Sequence, residues 1–283
     1  MIRFVVAHQA EAKPIVDRFH MEPAGEVPFR VFRGEDPDLG EPWLIVSGLG
    51  KAAAAAATAY LHLLSGGRAD RAWLNVGVGG HCQGRVGEAF VAHKISDPAS
   101  GLAWYPQLVI DSPRPTAALL TVERVEEEYE SPWVYEMEAA GFFPTACRFS
   151  TIELIHCFKV VSDNPDTTLS RRMSASFFEG LIGENIEAIS ELSRGLADLA
   201  REVEALSADP PGYAEALEHW PFNASQQRQL RRLLQRLAVL APGDLYGGVH
   251  LGGIAEAREV LRALDTRLAA IPIRLPEPME VVL

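Results

Sequence analysis

Three carboxylates in this sequence sit where one kind of local pattern gives way to another. Glu11 follows an apolar run in AHQAEA, Glu138 lies beside Glu136 in YEMEAAGF, and Asp163 ends the apolar run KVVSD. Carboxylates have a defined repertoire: an ionised one polarises water or holds hydroxyl groups against developing positive charge, and a protonated one hands its proton to a leaving group. Each also has an ordinary structural role open to it. Glu11 suits the first turn of a helix, where the dipole favours an anion. Asp163, just before Asn164 and Pro165, suits a turn, and Glu138 suits an exposed helix face paired with a cation. Between the first and second carboxylates runs LNVGVGGHCQGRVGEAFVA, with Gly77, Gly79, Gly80, Gly84 and Gly87. Glycine lets a backbone approach a ligand closely, but GVGG is neither a dinucleotide fingerprint nor a phosphate loop.

The elements that must position these groups follow from periodicity. Residues 2–6 read as a buried strand and residues 8–13 open a helix, so Glu11 falls near a strand-to-helix junction. Residues 43–46 read as a strand running into SGLGK, after which the alanine-rich residues 52–64 favour helix. The spacing predicts a strand ending at Val76, a glycine turn, and a second strand over residues 89–95. Residues 133–149 suit a helix starting near Glu136 and Glu138, and residues 154–161 a further apolar strand. Residues 177–206 form one long amphipathic segment, with Leu181, Ile182, Ile186, Ile189, Leu192, Leu196 and Leu199 at helical spacing. The break SADPPG then marks a boundary. Residues 207–283 are mainly helix-like, and the arginines at 228, 231, 232 and 236 read as a solvated helix face.

The chain has 283 residues, 38 acidic against 26 basic, for a formal net charge of −12. A field of that sign repels phosphate backbones and anionic lipid surfaces, so neither nucleic acid nor membrane is an expected partner. The three cysteines, Cys82, Cys147 and Cys157, show no disulfide or zinc-ligand spacing and read as reduced, buried thiols. The amino-terminal apolar run is too short for a signal sequence and no apolar run reaches membrane-spanning length, so a soluble, cytoplasmic protein is expected.

Taken in order, these segments resemble the family that contains methylthioadenosine and S-adenosylhomocysteine nucleosidases, futalosine hydrolases and purine nucleoside phosphorylases. AHQAEA is similar to the nucleosidases' first strand-helix junction, and LIVSGLGKAAAA to a second glycine turn that serves chiefly as scaffold. LNVGVGGHCQGRVGEAFVA resembles the strand pair lining the ribose and base pocket, and YEMEAAGF with KVVSDNPD resembles the family's most telling pair. The resemblance implies that Glu11 activates water, Met137 packs on the sugar, Glu138 holds ribose hydroxyls and Asp163 serves the base. Ser162 would orient that aspartate, and Val78, Gly79 and Gly80 would lie nearest the ligand. It spans roughly residues 1–195 and leaves the tail unexplained.

The departures from the family pattern narrow the chemistry. Asn75 stands where the phosphorylases carry a phosphate-binding arginine, and the amino terminus has no glycine-aspartate-proline phosphate loop. A phosphate nucleophile needs paired donors and positive charge, so water is favoured. Val78 replaces the serine of the methylthioadenosine nucleosidases, and TVERVEEEYESPW is shorter and more acidic than their corresponding stretch, so base identity stays open. The expectation is an α/β three-layer sandwich around a mixed central sheet over residues 1–206, with a mainly helical carboxyl-terminal extension over residues 207–283. Its activity would be hydrolysis of the N-glycosidic bond of a purine nucleoside, adenosine-like and substituted at the five-prime carbon. No metal or organic cofactor is expected, and a homo-oligomer is. The alternatives are phosphorolysis by the same fold, a nucleoside-binding protein without activity, and contact of the arginine-bearing helix with nucleic acid.

Overall fold

The computed structural model describes residues 1–126, 128–167 and 174–272. The chain divides into two compact units, Met1–Leu206 and Ser207–Leu283. In the first unit the strands are β1 (Ile2–Val6), β2 (Glu22–Gly25), β3 (Arg30–Arg33), β4 (Trp43–Val46), β5 (Ala72–His81), β6 (Ala89–Asp97), β7 (Leu102–Trp104), β8 (Thr116–Thr121), β9 (Val134–Glu136) and β10 (Ile155–Asp163). The helices are α1 (Gln9–Arg18), α2 (Lys51–Leu64), α3 (Ala139–Ala146), α4 (Ala175–Glu184) and α5 (Ile186–Ser207).

The sheet is mixed. β1 runs parallel to β4 on one side and β5 on the other, and β3 and β2 extend the β4 edge in antiparallel fashion. On its other side β5 pairs with β10 in parallel, and β10 pairs with β6 antiparallel. β8 lies parallel to β6, and β9 is parallel to β8 and antiparallel to the end of β5. Strands β5, β10, β6, β8 and β9 therefore pair in a closed circuit.

Side chains alternate across the strands, so the sheet buries two apolar surfaces. Ile2, Phe4 and Val6 pack in one core with Ala12 and Ile15 of α1, Leu181 and Ile182 of α4, and Ile189, Leu192 and Leu196 of α5. Val5, Ile45 and Trp73 pack in another with Ala54, Ala57 and Leu61 of α2 and Phe142 and Phe143 of α3.

Four sequence expectations are corrected here. The strand read as ending at Val76 continues through the glycines to His81, because β10 and β9 supply ladder partners on both sides that outweigh glycine's weak strand preference. Residues 133–149 are not one helix: Val134 and Tyr135 pair with β5 and β8, and helix begins only at Ala139. Residues 177–206 form two helices, broken at Asn185, whose Nδ2 donates to the carbonyls of Leu181 and Gly87. Of the cysteines only Cys157 is buried; Cys82 is half-buried and Cys147 exposed.

The second unit contains α6 (Tyr213–His219), α7 (Ala224–Leu240) and α8 (Ala257–Ala270) around its own core of Leu230, Leu234, Leu237, Val260 and Leu264. Asn223 caps α7 by accepting from Gln226 N at 3.0 Å. Arg228, Arg232 and Arg236 are exposed, while Arg231 pairs with Asp209 and lies over the Tyr213 ring. No helix among the described residues is long and apolar enough to cross a membrane.

Candidate active site

Beyond β1, Ala7 and His8 turn the chain into α1. His8 is the helix N-cap: its Nδ1 accepts from Ala10 N at 3.1 Å, and its own backbone N–H donates to Glu11 Oε2 at 2.8 Å. The other oxygen of Glu11 accepts from Val78 N on β5 at 3.0 Å. Glu11 is thus both a helix-capping carboxylate and a tie to the central strand. Burial pushes its pKa up, against the Lys159 ammonium and these backbone donors, which favour the ionised form.

Glu136 and Glu138 flank the turn from β9 into α3, and both are buried. Glu136 is a structural anchor: Oε2 accepts from Glu138 N at 3.0 Å and Ala139 N at 2.8 Å, and Oε1 accepts from the Thr121 hydroxyl. Glu138 Oε1 accepts from Gly50 N at 3.0 Å, so the SGLGK turn holds a site carboxylate in place. That turn depends on Gly141, because a Cβ there would stand 2.0 Å from the Lys51 carbonyl oxygen.

Lys159 lies beneath these carboxylates with a side chain 1% exposed, its Nζ 3.0 Å from Glu136 Oε2 and 3.7 Å from Glu138 Oε2. Nζ meets them as an ion pair without an aligned hydrogen bond. Burial disfavours the ammonium, but Glu136 and Glu138 outweigh it and hold the pKa above that of ordinary lysine. Glu138 is raised by burial first, with Lys159 opposing and Glu136 adding to the shift. Gly77 faces Lys159 across the β5–β10 ladder, and a Cβ on it would come within 3.2 Å of both Glu11 Oε1 and Lys159 Nζ. The first glycine of GVGG therefore makes room for protein charge.

Asp163 ends β10 just after an irregularity in its pairing with β5 and is 2% exposed. Ser162 Oγ donates to Oδ1 at 2.5 Å, and the Tyr129 hydroxyl donates to Oδ2. Glu11, Val78, Gly79, Gly80, Met137, Glu138, Ser162 and Asp163 all line one cavity of ≈ 260 Å³. His8, Leu49, Val125, Tyr129, Glu136 and Phe178 join them there.

The sequence reading missed Lys159, Tyr129 and the anchoring role of Glu136. Lys159 carries the plainest signal, since it is the one Lys or Arg inside IHCFKVVSD, a strand buried throughout. His81 is structural, with Nδ1 accepting from Gln83 N and Gly84 N. Asn75 is buried with Nδ2 donating to Val5 O at 2.9 Å and does not line the cavity. No cation side chain of lysine or arginine lines the cavity among the described residues. Nor do three or more His, Cys, Asp or Glu side chains among them gather in a way that could hold a metal ion.

No protein-family model matches this sequence, and no curated protein matches it either. Solved structures do match. The futalosine hydrolase of Helicobacter pylori strain 26695 superposes with a TM-score of 0.56 at 14% identity, covering 68% of this chain and 96% of its own. A 5′-methylthioadenosine/S-adenosylhomocysteine nucleosidase from Helicobacter pylori, complexed with butyl-thio-DADMe-Immucillin-A, gives 0.57 at 14% identity over 68% and 96%. The corresponding nucleosidase from Colwellia psychrerythraea 34H, in complex with adenine, gives 0.53 at 16% identity over 70% and 95%. These likenesses establish the fold: the chain carries the architecture of the nucleosidases and futalosine hydrolases.

Proposed function

We propose, from this nucleosidase fold and the site it carries, that the protein hydrolyses the N-glycosidic bond of a purine nucleoside and releases free base. One observation carries the reading. Glu11, Glu138 and Asp163, drawn from three segments far apart in the chain, meet in one cavity with Met137 between them in sequence order.

In this mechanism Glu11 takes a proton from water as the oxygen adds to the anomeric carbon, and Glu138 holds the ribose hydroxyls while positive charge builds on the sugar. Asp163 gives its proton to the ring nitrogen at position seven as the glycosidic electron pair moves onto the base. Lys159 does not line the cavity: it pairs with Glu136 and Glu138 and its charge favours the ionised form of Glu11, while Glu136 fixes the backbone of Glu138. Water rather than phosphate is the nucleophile, supported by the lack of any lysine or arginine lining the cavity among the described residues. Leu49, Val78, Val125 and Phe178 are apolar lining residues of the cavity and support an apolar five-prime substituent on an adenosine-like substrate. The same reading makes residues 1–206 the catalytic unit, a three-layer sandwich supported by the two apolar cores. Residues 207–283 are then a helical extension, and the protein a homo-oligomer.

The test is release of free base from adenosine, inosine, methylthioadenosine, adenosylhomocysteine and futalosine, with and without phosphate, followed by chromatography. Release without phosphate is expected. Strictly phosphate-dependent release of ribose 1-phosphate would replace hydrolysis by phosphorolysis, and tight binding without release would make the protein a nucleoside-binding one. Asp163→Asn is expected to lower kcat by roughly two to four orders of magnitude, the scale of a lost general acid. Near-normal turnover would remove Asp163 from the reaction.

A further inference from the structure

Tyr129 has no part in that mechanism, yet it holds one oxygen of the proposed acid. It comes from the segment between β8 and β9, and its hydroxyl donates to Asp163 Oδ2 while Ser162 holds Oδ1. The ring leans on Tyr135, with centroids 5.1 Å apart at 58°. Its tip lies over Gly80: a Cβ built there would stand 2.2 Å from the Tyr129 hydroxyl oxygen and 2.5 Å from Cζ. The space left by the missing side chain of Gly80 is thus filled by a phenol. Both oxygens of Asp163 are engaged by protein hydroxyls, and the one on Oδ2 belongs to a residue that lines the cavity.

We propose that the Tyr129 hydroxyl is a specificity-determining competitor, which satisfies Asp163 until the ring nitrogen of the departing base takes its place. This rests on the nucleosidase reading above. A base that exchanges a proton with Asp163 must reach a carboxyl oxygen. Oδ1 is held by the adjacent Ser162, itself 1% exposed, so Oδ2 is the oxygen to be yielded.

The exchange discriminates by chemistry. An ionised carboxylate only accepts hydrogen bonds, so the phenol yields either to a donor or to a proton taken up by Asp163 itself. The ring nitrogen at position seven of an intact nucleoside carries a lone pair and no hydrogen, whereas the departing base carries N–H once it has been protonated. The proton balance closes: solvent supplies one proton to Asp163 as the phenol leaves Oδ2, and that proton passes to the ring nitrogen as the glycosidic electron pair moves onto the base. The new N–H then donates back to the carboxylate where the phenol stood. Tyr129 therefore opposes binding of the intact nucleoside more than it opposes the state in which the base leaves, which is the differential that raises kcat relative to ground-state binding. A ring with no protonatable nitrogen at that point cannot displace it.

The experiment is steady-state kinetics and calorimetric binding of the released base for the wild type and Tyr129→Phe, which keeps the ring and removes the hydroxyl. Alongside these goes the near-ultraviolet tyrosine difference spectrum of the wild type on adding that base. The expected results are a KM about tenfold lower in Tyr129→Phe with kcat about threefold lower, base binding tighter by about threefold, and a tyrosine difference signal in the wild type. A fall in kcat at unchanged KM would make Tyr129 a catalytic group and overturn the proposal. Weaker base binding in the variant would make it a ligand contact and overturn it too, as would unchanged kinetics and binding. The wild-type spectrum stands even if the variant does not fold, and a base complex with no tyrosine signal refutes displacement. A wild type that neither releases nor binds any base overturns the nucleosidase reading itself, and the proposal with it; normal release with an indifferent Tyr129 overturns the proposal alone.

Discussion

Lys159 is where the chemistry and the stability of this protein meet. Its ammonium is enclosed with Glu136 and near Glu138, and removing one member of a buried ion pair leaves the other charged and unsolvated. Lys159→Ala is accordingly expected to cost about 3–5 kcal/mol in urea unfolding. A loss below 1 kcal/mol would show that the cluster carries little. The same substitution has a kinetic signature. In the proposed mechanism Glu11 acts as a base and must be ionised, so kcat/KM is expected to fall on the acid side with a midpoint above 4.5, the ordinary glutamate value, because burial raises its pKa. Lys159 opposes that shift in both Glu11 and Glu138. Without it the acid limb moves to still higher pH, which a pH–rate profile of a conservative Lys159→Met variant would show.

Among the elements, the crossing of α2 and α3 sets the position of Glu138. The two helices approach so closely at Gly141 that a Cβ would meet the Lys51 carbonyl at 2.0 Å, and a backbone atom cannot swing aside as a side chain can. Gly141→Ala must push α3 away from α2, pulling Glu138 from the Gly50 amide. A stability loss of about 1–3 kcal/mol with a raised KM is expected, the usual scale of overpacking. Gly180 in α4 provides the contrast, since a Cβ there meets nothing within 4 Å. Gly180→Ala removes backbone freedom from the unfolded chain and is expected to stabilise by about 0.5–1 kcal/mol. Chemical denaturation of both variants checks the pair: equal effects would mean that helix propensity, not the crossing, governs Gly141.

At the scale of the whole molecule, pH acts on folding through His156. This residue is fully buried in β10, and burial lowers its pKa from 6.5 to about 4. Above pH 6.5 the ring is neutral folded or unfolded, and it contributes no pH dependence. Between 6.5 and about 4 the unfolded chain takes up a proton that the folded one refuses, so stability falls as pH falls, by roughly 3 kcal/mol over the window. Glu11 and Glu138, with raised values, act in the opposite sense. The His156 contribution is therefore read as the difference between the wild type and His156→Leu in unfolding free energy at pH 7 and pH 5. An unchanged slope in the variant would mean that His156 does not govern the window.

The pieces of the site were legible in the sequence because local patterns report local physics. An apolar run followed by charge marks a strand entering a helix and places Glu11 at that junction, as the run KVVSD places Asp163 at a strand end. Their choice as candidates, with Glu138, rests on the resemblance of AHQAEA, YEMEAAGF and KVVSDNPD to the nucleosidase family. What those groups touch was not legible, because their partners lie far along the chain: Val78 is 67 residues from Glu11, Gly50 is 88 from Glu138, and Tyr129 is 34 from Asp163. Such contacts follow from the order in which strands join the sheet, which periodicity does not encode. The same physics explains the corrections. β9 is a strand because β5 and β8 offer it hydrogen-bond partners, and the GVGG stretch stays in the sheet because β10 lies alongside. By itself the sequence determined which residues carry charge, which runs are apolar and where the chain turns. The tertiary structure alone decided that Lys159 pairs with Glu136 and Glu138, that Glu136 anchors a helix, and that Tyr129 stands on Asp163, because sheet order brings distant segments within reach of one another.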